Sequence, residues 1–220
     1  MEINNKRLGA IFPAATTYTT LYTPSGVKGV VQGISISNMT ATQKNVRLSN
    51  IKSGENATNL TRCILYDYRI PANTSIDLKY MVSMSSGDSL KLYTDVIGIA
   101  GMAWGSELTG IGENIQLLGG VAPVANRNTV LYTVGSAKKG NISTISVCNR
   151  SISPTTFRIA HTLLTSTVVA SKDYIAYNQA IYGSDSLSYN LPISMVASNS
   201  LIVRTATSNL TFMCWGSEIY

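Results

Sequence analysis

The chain has 220 residues, long enough for one large domain or two small ones, and 45% of them are hydrophobic, which is sufficient for a packed core. Only 13% are charged, and the net charge of +6 is spread along the chain, with Lys138-Lys139 as the densest basic cluster. Abundant Ser, Thr and Asn indicate β-structure rather than helices. The scattered basic residues argue against a nucleic-acid-binding protein.

The N-terminal segment, Met1 to Leu8, has no apolar run ahead of a small-residue cleavage site, so it does not resemble a signal peptide. Apolar stretches elsewhere are well short of the roughly 18 residues that a membrane-spanning helix needs. We therefore expect a protein made in the cytosol, with no membrane partner.

The dominant feature of the sequence is an internal repeat. A series of short blocks recurs in the same order, first at an offset of 110 residues and then at 111. The blocks begin with Leu8-Gly9 and Leu118-Gly119, continue through Leu21-Tyr-Thr and Leu131-Tyr-Thr, and end with Trp104-Gly-Ser-Glu107 and Trp215-Gly-Ser-Glu218. The repeat predicts two units of similar fold, residues 1–110 and 111–220.

Each predicted unit opens with an apolar segment that lacks strand alternation, Met1–Thr20 in the first and Ile111–Asn128 in the second. Leu8, Phe12 and Leu118 lie in these segments. We expect them to be extended arms that contact a neighbouring subunit, because apolar side chains on an irregular segment need a surface to cover. Folding back onto their own unit is the alternative.

Apolar residues alternate with polar ones in the rest of each unit. Val46 and Leu48 flank Arg47, and Leu90 and Leu92 flank Lys91. This period of two is typical of half-buried strands, and Gly-, Pro- and Asn-containing turns separate them. The predicted fold is all-β: two tandem antiparallel β-sandwich units, jelly-roll-like or Ig-like, related by internal duplication and each preceded by an extended arm.

The residues give no support for catalysis or cofactor binding. The single histidine, His161, stands where the first unit has Asn50, and no nucleophile motif surrounds any serine. Cys63, Cys148 and Cys214 occupy positions that the two units do not share, which favours buried free thiols over disulfides or a metal site. We expect a non-enzymatic protein without catalytic, cofactor-binding or metal-binding residues.

The residues kept in both units are the candidates for structural or assembly roles. Trp104 and Trp215 are expected to fill equivalent buried positions, with an exposed carbohydrate-stacking platform as the alternative. Arg47 with Glu107, and Arg158 with Glu218, could form ion pairs within a unit or across a subunit contact.

The second unit resembles small β-sandwich virion proteins encoded by tailed bacteriophages. The resemblance lies in a series of motifs: Leu131-Tyr-Thr, Cys148-Asn-Arg150, Thr156-Phe-Arg-Ile159, Asp173-Tyr-Ile-Ala-Tyr177 and Trp215-Gly-Ser-Glu-Ile219. The first unit departs from it at Ser37-Asn38-Met39. The resemblance implies a structural protein that is made in the host cytoplasm and assembles on the virion.

Three hypotheses for function follow from this resemblance. The first is a tail or neck component that contacts other virion proteins and copies of itself. The second is a decoration protein of the head, and the third is a module that binds glycans on the host surface. The number of copies per particle separates the first two, because decoration follows the capsid lattice and tail parts follow ring symmetry.

Overall fold

A computed structural model describes residues 2–110, 114–163, 165 and 167–219. In these residues the fold is all-β, with eighteen strands and two short 3-10 turns. The strands up to residue 110 are β1 (Glu2–Ile11), β2 (Thr19–Tyr22), β3 (Lys28–Asn38), β4 (Lys44–Ile51), β5 (Cys63–Ile70), β6 (Thr74–Leu78), β7 (Val82–Met84), β8 (Ser89–Thr94) and β9 (Ile99–Thr109).

Nine further strands follow residue 113. They are β10 (Asn114–Val121), β11 (Thr129–Thr133), β12 (Lys139–Asn149), β13 (Thr155–Thr162), β14 (Tyr174–Ile181), β15 (Ser186–Tyr189), β16 (Ile193–Val196), β17 (Ser200–Thr205) and β18 (Leu210–Ile219). The two 3-10 turns, Leu60–Arg62 and Ser171–Asp173, each lead directly into a strand, β5 and β14. The boundary predicted at residues 110 and 111 adjoins Ile111–Glu113, which lie outside the described residues.

The strands form four antiparallel sheets. In the first half of the chain the sheet orders are β1-β9-β3-β6, with β7 also pairing β3, and β2-β8-β4-β5. In the second half they are β10-β18-β12-β15, with β16 also pairing β12, and β11-β17-β13-β14. The two halves therefore have the same strand order: each strand of the first half corresponds to the strand numbered nine higher in the second half.

Each half packs its core between its two sheets. Val46 and Leu48 of β4 are fully buried, as are Leu90 and Leu92 of β8, which confirms the predicted alternation. The core of the second half is built around Phe157 and Phe212, whose rings meet edge to face at 5.8 Å. Leu117, Met213 and Trp215 of the second half join the core of the first half instead. The two halves are therefore packed directly against each other.

The greater part of each segment predicted to be an extended arm is a strand of its own sheet, so the prediction is wrong for these strands and the alternative, folding back onto the same unit, holds there. β1 pairs with β9 from Glu2 to Ile11, and β10 pairs with β18 from Asn114 to Val121. A bulge in each strand, after Arg7 and after Leu117, breaks the alternation that would have marked them as strands. Leu8 and Leu118 pack against the cores of their own halves, whereas Phe12 is exposed.

The Leu-Gly pair is kept in both halves because two strands approach closely there. A Cβ atom on Gly9 would lie 1.9 Å from the carbonyl oxygen of Leu21, and one on Gly119 would lie 2.1 Å from that of Leu131. Any larger residue would push β1 away from β2, or β10 away from β11. The glycine is therefore retained because it lets an edge strand pack in its own sandwich, and not because it shapes a free arm.

Candidate assembly interface

Trp104 and Trp215 occupy matching positions on β9 and β18 but lie in different surroundings. Trp215 is fully buried, and its indole Nε1 donates a hydrogen bond to Oδ1 of Asn50 at 3.0 Å. Trp104 is 41% exposed. The expectation of equivalent buried positions is therefore wrong for Trp104. The reason is that neither tryptophan belongs to the core of its own half, and Trp215 is instead packed into the core of the first half.

Three side chains in the first part of β18 take part in this contact. Thr211, Met213 and Trp215 alternate along the strand and are all buried. Thr211 donates its hydroxyl hydrogen to the carbonyl oxygen of Leu60 at 2.7 Å. Together with Leu117 of the edge strand β10, these side chains form what we term the donor face, which covers part of the first half.

The surface of the first half that meets the second half includes Asn50 and the 3-10 turn at Leu60–Arg62, which contact the donor face, and Tyr80, which contacts β15. We term it the acceptor surface. Tyr80 Oη lies 3.0 Å from Oγ of Ser186, and Asn190 donates through Nδ2 to the carbonyl oxygen of Lys79 at 3.3 Å. Burial raises the pKa of Tyr80 to about 12. The contact thus combines apolar packing with hydrogen bonds that fix its register.

Glu107 and Glu218 bind equivalent partners within each half. Glu218 accepts hydrogen bonds from Tyr132 Oη at 2.7 Å and from Lys138 Nζ at 3.1 Å. Burial, and then the hydrogen bond to Glu218, raise the pKa of Tyr132. The matching carboxylate in the first half, Glu107, accepts from Lys6 Nζ at 2.5 Å and from Tyr22 Oη at 3.3 Å.

The predicted Arg–Glu pairs are therefore wrong within the chain. Each arginine lies on one sheet of its sandwich and the corresponding glutamate on the other. Arg47 binds Asp67 instead, through Nε at 2.6 Å and Nη2 at 3.1 Å. Arg158 donates to Oδ1 of Asn178 at 2.7 Å.

Sequence reasoning missed the aromatic partners of these arginines. The guanidinium of Arg47 lies 4.2 Å from the centre of the Tyr66 ring, and that of Arg158 lies 4.2 Å from the centre of the Tyr177 ring. The signal was present in the repeat, which pairs Tyr66-Asp67 with Tyr177-Asn178. Asp67 and Asn178 both have a φ of 48°, a left-handed conformation that Asp and Asn tolerate better than most residues.

His161 and the cysteines have the surroundings expected from the sequence. His161 is half-buried in β13, one residue before the strand ends, and its Nε2 lies 3.3 Å from Oδ1 of Asn199. Cys63, Cys148 and Cys214 are free and buried, and burial raises the pKa of the Cys214 thiol to about 12. Within the described ranges no group of three or more His, Cys, Asp or Glu side chains could hold a metal ion.

None of the helices in the described part of the chain has the length and apolar character needed to cross a membrane.

No protein-family model matches the chain, and no curated protein matches it. Among solved structures, the STIV MCP is 12% identical with a TM-score of 0.38, and the alignment covers 100% of this chain and 97% of the STIV MCP chain. The major capsid protein P2 from bacteriophage PM2 is 10% identical with a TM-score of 0.36, and the alignment covers 99% of this chain and 97% of P2. A fucolectin from striped bass serum is 14% identical with a TM-score of 0.29, and the alignment covers 94% of this chain and 85% of the fucolectin. These likenesses are too distant to assign a function.

Proposed function

We propose that the chain is a non-enzymatic structural protein of a virus particle, and that its role is to assemble with copies of itself and with other virion proteins. The observation that carries the proposal is the contact between the donor face and the acceptor surface. It joins two β-rich halves of equal strand order through buried side chains. One chain thereby presents its two halves as a single building block.

We also propose that residues 1–110 and 111–220 are jelly-roll-like sandwich units that arose by internal duplication. The sequence repeat supports this, as do the matching strand orders and the bulges at the same points of β1 and β10. The close approach at Gly9 and at Gly119 is a further shared detail. An all-β fold does not in general require these details of backbone packing, so their occurrence in both halves supports duplication.

Within the particle we propose a place on the tail or neck, and decoration of the head is the alternative. Quantitative mass spectrometry of purified particles tests both. A copy number that matches a ring of low symmetry supports the tail or neck. A number that matches the capsid lattice supports the head, and absence of the chain from purified particles contradicts the proposed function altogether.

One observation favours glycan binding as a second candidate function. Arg158 and the 59% exposed ring of Tyr177 lie together on the surface of the second half. A planar ring beside a hydrogen-bond donor is suited to stacking on a sugar. A glycan array with the full chain tests this, with Tyr177→Ala as the variant that should abolish any signal and Tyr182→Ala, another exposed tyrosine, as the matched control.

A further inference from the structure

Each of the two surfaces in the contact between the halves has an exposed counterpart in the other half. The donor face of the second half is formed by Thr211, Met213 and Trp215, and the repeat places Ala100, Met102 and Trp104 at the same positions of β9. The first set is buried. In the second set Ala100 and Met102 are half-buried and Trp104 is exposed.

The acceptor surface shows the complementary difference. Asn50 and Tyr80 of the first half are buried, with exposures of 0% and 4%. The repeat matches them with His161 and Leu191 of the second half. His161 is half-buried, and Leu191 is 40% exposed. The first half thus has an open donor face, and the second half has an open acceptor surface.

We infer that the open donor face around Trp104 binds the open acceptor surface around His161 on a second copy of this chain, so that the contact within one chain is repeated between chains. This inference rests on the self-assembly in the proposed function and names the surfaces that carry it. Trp104 then takes the place of Trp215, and His161 takes the place of Asn50. A ring nitrogen of a neutral histidine can accept the indole hydrogen as the amide oxygen of Asn50 does.

Two of the residues that differ between the two contacts, one on each surface, carry opposite charges. In the chain, β10 runs beside the turn Leu60–Arg62, since a Cβ on Gly120 would lie 2.4 Å from Nη1 of Arg62. In the contact between copies, β1 would run beside the turn Ser171–Asp173. At the position that Leu117 occupies on β10, β1 carries Arg7, and the position of Arg62 is taken by Asp173. The repeat counterpart of Gly120 is Ala10, so Asp173 would lie beside the strand that carries Arg7 three residues earlier.

The two surfaces are different, so the contact is head to tail and each copy can bind one neighbour at either end. Head-to-tail contacts close into a ring when the rotation between copies permits and otherwise grow into a filament. In a closed ring the sandwich units would alternate, first half and second half, around the circle. An isologous dimer that buries only one of the two surfaces is not compatible with this arrangement.

Sedimentation velocity of the full chain tests the inference. We expect wild type to associate and Trp104→Arg to sediment as a monomer with an unchanged circular dichroism spectrum. Tyr182→Arg is the matched control, because it places the same charge at a side chain that is 76% exposed but outside both surfaces. His161→Glu alone should also block association. Combined with Trp104→Arg it should restore association, because the two new charges are opposite.

The inference is overturned if wild type remains monomeric up to about 100 µM, a concentration at which an interface with a micromolar Kd is occupied. It is also overturned if Trp104→Arg and His161→Glu both associate as wild type does. Should Trp104→Arg fail to fold, His161→Glu and its comparison with the control decide the matter. Detection of the chain in purified particles is independent: its presence together with a monomeric wild type refutes only the inference, and its absence refutes the proposed function.

Discussion

The indole of Trp215 and the side-chain amide of Asn50, 165 residues apart in the chain, are joined by a hydrogen bond of 3.0 Å that is closed off from solvent. The bond is part of the contact between the two halves. Trp104, the repeat partner of Trp215, remains 41% exposed. Comparing these two tryptophans is the most direct way to measure what the contact contributes to the free energy of unfolding.

Replacing each tryptophan by alanine should have unequal effects on stability. Trp215→Ala removes a fully buried side chain and should lower the free energy of unfolding by about 3–5 kcal/mol. Trp104→Ala removes an exposed side chain and should change the free energy of unfolding by less than about 1 kcal/mol. Urea unfolding of both variants at a concentration where the protein is monomeric checks this. Equal losses would show that the two positions are equivalent.

Loss of the Asn50 amide should leave the indole hydrogen of Trp215 buried and unpaired. Asn50→Ala is therefore expected to cost about 1–3 kcal/mol. In Trp215→Phe, which has no indole hydrogen, the same Asn50→Ala change should cost less. A double-mutant cycle built from these variants measures the coupling, and additive effects would mean that the hydrogen bond does not stabilise the contact.

The sequence was sufficient to predict an all-β fold, the alternation in β4 and β8, and the buried cysteines, whereas the division into two duplicated units stays a proposal. It failed at β1 and β10 because a bulge in each interrupts the alternation from which strands are recognised. It also failed at Trp104, because retention in both halves does not distinguish a core position from a docking face. Whether a tryptophan is covered depends on how the halves pack, and local sequence carries no signal for that.

Tyr80 should make the contact sensitive to alkaline pH. Burial raises its pKa to about 12, above the ordinary 10.0, so the folded protein retains the phenolic proton after the unfolded chain has lost it. The stability that this provides is fully present below about pH 10 and is lost as the pH rises towards about 12. Urea unfolding across this range should give a shallower decline for Tyr80→Phe than for wild type. Parallel declines would contradict the assignment.

Removal of β1 should destabilise the first half. Deleting residues 2–11 exposes the edge of β9 and takes away the packing of Leu8 and Ile11 against the first core. We expect a loss of about 2–4 kcal/mol, since each partly buried aliphatic side chain contributes up to about 1.5–3 kcal/mol.

The deletion can be checked with point variants. Leu8→Ala should lower the melting temperature, whereas Ile3→Ala, at a side chain that is 51% exposed on the same strand, should leave it nearly unchanged. A deletion variant that melts as wild type does would restore the view of this segment as a free arm.

Imaging of virus particles labelled with an antibody against this chain tests the proposal of a virion structural protein most directly. The account predicts label at regularly repeated positions on intact, purified particles, because a building block that assembles with its own copies must recur in the particle. Label confined to the soluble fraction of the host, with none on the particles, would contradict it.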